Sequence, residues 1–163
     1  MRLFLVRHAQ AESRGRWHGP DELRPLTKKG RRQASGLAAL LEDRPITRIL
    51  SSPAVRCIDT VTPLAERVGV KVEVTADLLE GADTEAVVEM CGRLASSNDD
   101  VVLCTHGDVI PEVLRALAGD GLRFEDDPRW AKGSTWVLEG KKGRFVTARY
   151  VAPVEAPAVT PAG

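Results

Sequence analysis

The feature that most constrains this fold is a repeated alternation. Short apolar runs of strand length take turns with longer stretches whose apolar residues recur at helical spacing. Leu3–Val6 is a continuous apolar run, as expected of a strand covered on both faces. Thr27 then reads as the N-cap of a helix reaching to about Asp43, with Ala34, Leu37, Ala38 and Leu41 on one face. Ile46–Leu50 is a second strand. Ser51-Ser52-Pro53 reads as a hydroxyl cap before a proline at the first helical position, and Cys57, Ile58, Val61, Leu64, Ala65 and Val68 make the buried stripe of a helix ended by Gly69. Val70–Val74 is a third strand, Thr84–Leu94 a third helix and Val101–Cys104 a fourth strand. Val109 to Ala118 is a helix stopped by Gly119, and Ser134–Leu138 with Phe145–Tyr150 form a closing hairpin around Gly140–Gly143. Alternation of this kind implies an α/β fold with three α/β/α layers and a mostly parallel central sheet joined by right-handed crossovers.

At 163 residues one domain is expected, residues 1–151. The Pro/Ala-rich tail, 152–163, is expected to be disordered. The 23 basic and 23 acidic side chains cancel, so no global field draws the chain to nucleic acid or an anionic membrane. Any positive charge that meets an anionic substrate has to be local. Cys57, Cys91 and Cys104 are odd in number and widely spaced, which fits buried thiols in a reducing cytoplasm better than disulfides or a metal cluster. The apolar run at the start meets charge after about six residues, too short for a signal peptide or a span. A cytoplasmic location is the expectation, with no cofactor and no metal.

In open α/β sheets, ligands bind beyond the carboxyl ends of the strands. Arg7-His8 closes the first strand, Arg56 falls in the first helical turn after the second, and His106 closes the fourth apolar run. If those strands are neighbours, two guanidiniums and two imidazoles meet beside helix N-termini, a setting suited to phosphate. Arg14, Arg16, His18 and Arg24 lie on the loop after the first strand. They are either a second anion-binding group or an exposed basic loop. Trp17, Trp130 and Trp136 are more readily core than ligand platform.

LVRHA, PLTKKGRRQA, SSPAVRCIDT and CTHGDV, in that order, resemble the histidine phosphatase superfamily with its phosphoglycerate-mutase-like fold. The resemblance implies a metal-independent phosphatase in which His8 takes the phosphoryl group and Arg7, Arg56 and His106 hold its oxygens. The His8 ring would be fixed by a carbonyl in or near the Gln10–Ser13 loop. Glu80 falls where the family places a general acid, a role that needs a raised pKa. Arg14 stands where many members carry an asparagine near the phosphate, and Arg14, Arg16 and His18 are the candidates for contacting the rest of the substrate.

Only Pro63 to Asp77 separates the Arg56 motif from Glu80, so the lid is small and the site open. That compactness is similar to the SixA-like branch, which acts on phosphohistidine in proteins. Lys132–Leu138, followed by GRFVTARY, is similar to the phosphatase half of certain actinobacterial Nudix fusion proteins, which raises a nucleotide or other small phosphorylated metabolite as substrate. A mutase, and from a different class an inert phosphate- or protein-binding module, are the other readings. The expected partner is thus a phosphorylated protein or a small phosphorylated metabolite.

Overall fold

The computed structural model describes residues 1–157. Its elements run β1 (Arg2–Arg7), α1 (Lys28–Leu41), β2 (Ile46–Ser51), α2 (Val55–Val68), β3 (Val72–Val74), α3 (Thr84–Ala95), β4 (Asp100–Thr105), α4 (Val109–Gly119), β5 (Arg123–Phe124), β6 (Thr135–Lys141) and β7 (Arg144–Val151). One sheet of seven strands holds them in the order β3-β2-β4-β1-β6-β7-β5. Only β6 runs against the rest. The expected mostly parallel α/β sheet is therefore present.

Side-chain alternation on the central strands builds the three layers. Leu3 and Leu5 of β1, with Val101 and Leu103 of β4, pack under α3 and α4. Phe4, Val6, Val102 and Cys104 face the other way, onto α1 and α2. Both strands are covered twice, which is why their sequences read as unbroken apolar runs. All three cysteines are free and buried. Trp136 is fully buried on the α3/α4 face, edge-on to Phe124 and tilted against Tyr150.

The topology creates the crevice. After β1 the chain crosses over α1 towards β2 and β3, whereas after β4 it crosses over α4 on the opposite face towards β6 and β7. Neighbouring β1 and β4 thus send their exit loops in opposite directions, and a gap opens beyond their carboxyl ends. Arg7 pairs with Thr105 across that register, so His8 and His106 emerge side by side.

Several expectations are corrected. The helix after β2 begins later than the Ser-Ser-Pro reading implied: Ala54 is its N-cap without a side-chain cap, and Pro53 lies outside it. The Ser52 hydroxyl is drawn to a tertiary partner instead, described below. Gly119 lies within α4, whose left-handed turn falls at Gly121 (φ 106°). The strand expected from Val70 begins at Val72, on an edge of the sheet. Strand β5 and short 3-10 turns at Asp21–Leu23 and Ala76–Leu78 carried no sequence pattern long enough to read. Thr27 caps α1 as expected, accepting from the Gly30 amide, and Gly69 (φ 73°) ends α2.

Beyond β7 the backbone crosses α1. The Ala156 amide donates to the Arg32 carbonyl at 3.0 Å, Arg32 pairs with Glu155, and a side chain at Gly36 would strike the Val154 carbonyl. Val154 to Ala156, within the stretch expected to be disordered, therefore lie against α1, and residues 158–163 lie outside the described residues.

Candidate active site

His8 extends the ladder past β1, its amide donating to the Thr105 carbonyl at 3.0 Å. Its Nδ1 donates to the Ala9 carbonyl at 2.8 Å, one residue before the loop in which that partner was expected. With Nδ1 protonated, Nε2 keeps the lone pair. Burial, helped by the nearby charges of His106, Arg56 and Arg7 and opposed by the bond to Ala9, lowers the His8 pKa to about 3. The ring is neutral at physiological pH. The next amide, of Ala9, donates to Thr60 Oγ1, whose hydroxyl donates to the Arg56 carbonyl, so strand end and α2 are tied together.

The His106 ring lies 5.4 Å from that of His8, centroid to centroid, at 64°. Its Nε2 is bonded to Ser52 Oγ at 2.8 Å, the contact that takes Ser52 away from the α2 cap. Arg56 Nη2 approaches His106 Nδ1 at 3.5 Å, and a guanidinium can only donate, so Nδ1 is the acceptor and Nε2 carries the proton.

Arg56, on the first turn of α2, is only 2% exposed. Asp21 holds it through its backbone carbonyl (2.9 Å) and carboxylate (3.1 Å), and Glu80 stands 3.6 Å from Nη2. The Nε atoms of Arg7 and Arg56 are buried and without a partner. Arg7 Nη1 donates to the Trp130 carbonyl at 2.8 Å, and its guanidinium lies across Gly107, where a Cβ would come within 2.5 Å of Cζ.

A cavity of about 470 Å³ opens above this cluster, lined among others by Arg7, His8, Arg14, Arg24, Glu80 and Lys132. Arg56 and His106 are buried and do not line it, and Asp21 and Glu80 stand against Arg56. The four residues expected to converge are thus brought to one place, with the second Arg-His pair under the first. Glu80 does not sit in an apolar setting: Arg14 Nη2 donates to it at 2.6 Å, and that bond raises the Arg14 pKa. Arg14 also approaches Asp21 at 3.6 Å. Arg16 and His18 are exposed and stand off the cavity lining, because the loop turns back on itself where Trp17 Nε1 donates to the Pro20 carbonyl.

Lys132, Asp21 and Asp108 belong to the site and were missed as candidates. Burial, then the charges of Arg7, Arg24 and Arg14, lower the Lys132 pKa. Lys132 is long-range in sequence from every other site residue, and only the antiparallel pairing of β6 with β1 brings it in. A charged residue before a hairpin strand gives no signal of that.

The family model for the histidine phosphatase superfamily (branch 1) matches residues 3–86. An 8-oxo-(d)GTP phosphatase of Mycolicibacterium smegmatis is 34% identical over 154 residues, covering 93% of this chain and 48% of that protein. The chain spans about half the length, or less, of the curated relatives it matches. Among solved structures, the protein histidine phosphatase SixA complexed with tungstate superposes with a TM-score of 0.71 at 18% identity, over 95% of this chain and 97% of that one. The mycobacterial glucosyl-3-phosphoglycerate phosphatase superposes with a TM-score of 0.67 at 22% identity, over 95% and 98%. Among the described residues, no helix is long and apolar enough to cross a membrane.

Proposed function

The chain belongs to the histidine phosphatase superfamily, and from that premise we propose that it is a metal-independent phosphatase that carries the phosphoryl group on His8. The observation that supports this reading is the setting of His8: a buried neutral imidazole, its Nδ1 committed to Ala9, and its Nε2 left as the nucleophile. Arg7 receives the phosphate oxygens. Arg56 completes the cradle when the incoming anion displaces the Asp21 and Glu80 carboxylates from it, and His106, whose Nδ1 accepts from Arg56, orients that guanidinium. Guanidiniums held in position stabilise the charge of a phosphoryl transition state, which asks mainly for positioning and electrostatics.

Glu80, on the cavity wall, is the carboxyl group assigned to hand a proton to a departing ester oxygen. The open cavity lets water reach the phosphoenzyme, which favours hydrolysis over return of the group to a sugar acid. The substrate of this reading is a phosphomonoester or a phosphohistidine, as in SixA-like enzymes. A nucleotide or other small phosphorylated metabolite is the second reading, favoured by the 34% identical relative.

The test is turnover of an aryl phosphate and of a phosphohistidine protein in the presence of a chelator. Wild type should hydrolyse at least one of them and yield an acid-labile phosphoenzyme on quenching. His8→Ala should do neither, and turnover retained in that variant overturns the assignment.

A further inference from the structure

Two cations on the cavity wall, Arg7 and Lys132, have no carboxylate partner among the described residues, whereas Arg14 is engaged by Glu80 and Asp21. The backbone that carries Lys132 is also fixed in place. The Gly133 amide donates to the carbonyls of Arg7 (3.2 Å) and His8 (3.0 Å), in a left-handed conformation (φ 82°) that favours glycine. Gln33 grips the same loop, donating to the Lys132 carbonyl at 3.4 Å and accepting from the Gln10 amide at 2.9 Å. The ammonium is thus carried on backbone bonded directly to the nucleophile. Facing the same cavity, Arg24 spends Nη1 on the Glu12 carbonyl and Nε on Asp21, and its other terminal nitrogen is without a protein partner among the described residues. Positive charge thus runs along the cavity wall beside His8, without a carboxylate at Arg7 and Lys132 and with one nitrogen of the Asp21-paired Arg24 left over. Such charge is costly to gather unless an anion meets it.

Resting on the phosphatase reading above, we propose that Lys132 and Arg24 form a subsite for a second phosphate joined to the transferred one, so that the preferred substrate class is a diphosphate ester such as a nucleoside diphosphate. No aromatic side chain lines the cavity among the described residues, so the subsite reads the diphosphate and leaves a base outside.

The chemistry is consistent with the pairing of Glu80. As the Nε2–P bond forms, the bond from phosphorus to the bridging oxygen breaks, and its electron pair departs on that oxygen as part of a phosphate monoester. A phosphate oxygen whose second pKa is about 6 needs no proton to leave. Lys132 and Arg24 hold the charge it gains. Water then attacks the phosphoenzyme, the N–P electrons return to Nε2, and one proton of that water passes to solvent.

The deciding measurement is calorimetric titration with methylenediphosphonate and methylphosphonate, which need no turnover. The diphosphonate should bind at least about tenfold more tightly, the range of a bond to a charged group. Lys132→Ala should erase that preference and Lys132→Arg should restore it, with thermal unfolding confirming that both variants fold. Equal binding of the two ligands, or a preference that survives in Lys132→Ala, overturns the subsite. In turnover, a nucleoside diphosphate should exceed its monophosphate in kcat/KM, and Lys132→Ala should lower the first more than the second. A phosphohistidine protein turned over in preference to the diphosphate overturns the substrate class. Absence of any phosphoenzyme would instead sink the phosphatase reading, with the binding comparison still deciding the subsite.

Discussion

Asp21 holds Arg56 by two bonds of different kind, a carboxylate oxygen at 3.1 Å and its own backbone carbonyl at 2.9 Å. The first can be surrendered to an incoming anion while the second stays. Burial would raise the Asp21 pKa, but the Arg24 bond and the charges of Arg56, Arg24 and Arg14 outweigh it and hold the carboxyl below its usual range. At neutral pH a carboxylate therefore occupies an anion's place on Arg56.

Asp21→Asn removes the competing charge and keeps the backbone bond. Tungstate or phosphate should then bind more tightly, by up to about tenfold, the size of one bond to a charged group. Inhibition constants against an aryl phosphate check this, and weaker inhibition would mean that Asp21 positions Arg56 rather than shielding it.

The depressed pKa of His8 predicts a pH dependence with a definite sign. Its folded value of about 3 lies below the unfolded value of about 6.5, so the unfolded chain binds the extra proton first. The contribution is fully present above pH ~6.5. It is lost as pH falls, by roughly 1.4 kcal/mol per unit until the folded pKa is reached. Urea unfolding of wild type and His8→Gln between pH 7 and 4.5 should show the steeper loss in wild type, and NMR should find the free His8 ring still neutral at pH 5.

Gly107→Ala places a methyl within 2.5 Å of Arg7 Cζ and 2.6 Å of Nε. The guanidinium, the far end of the Arg7 side chain, has to shift and is pulled off its bond to the Trp130 carbonyl. A fall in kcat/KM of at least about tenfold is expected, the worth of a displaced charged hydrogen bond, with the circular dichroism spectrum unchanged.

Ser52→Ala leaves the buried His106 Nε2–H with only the Cys57 sulfur, a weak acceptor at 3.6 Å. The cost should be about 1 to 3 kcal/mol in urea unfolding, the penalty for an orphaned buried donor. An apolar double variant that also replaces His106 should recover part of that stability while losing activity.

Glu80→Gln removes both the Arg14 ion pair and the carboxyl group assigned to proton transfer. Turnover of an alkyl phosphate, whose leaving oxygen needs protonation, should drop by about 10²-fold or more, and a diphosphate should lose much less. Equal losses on both would remove Glu80 from the proton-transfer step.

Arg7 ends a strand, His8 and His106 directly follow one and Arg56 lies on the first helical turn after one, and they were legible because strand ends are where sheet geometry delivers side chains to a crevice. Arg16 and His18 misled because a basic loop has no period to tell which charges face in, and the Trp17–Pro20 bond decides that locally. Ser52 misled in a different way: a hydroxyl before a proline suits a helix cap and a tertiary bond equally well, and His106, far along the chain, claims it. Lys132 was invisible for the reason that hides most site residues, since its place depends on a strand pairing more than a hundred residues apart.

The clamp on the His8 imidazole has a stereochemical consequence. In the proposed reaction the ring, with Nδ1 bound to Ala9 and His106 at its side, would offer phosphorus only Nε2, and the water that follows would enter by the path the leaving oxygen took. Two successive in-line displacements from such a fixed pivot each invert phosphorus. A chirally labelled phosphate should emerge with its original handedness.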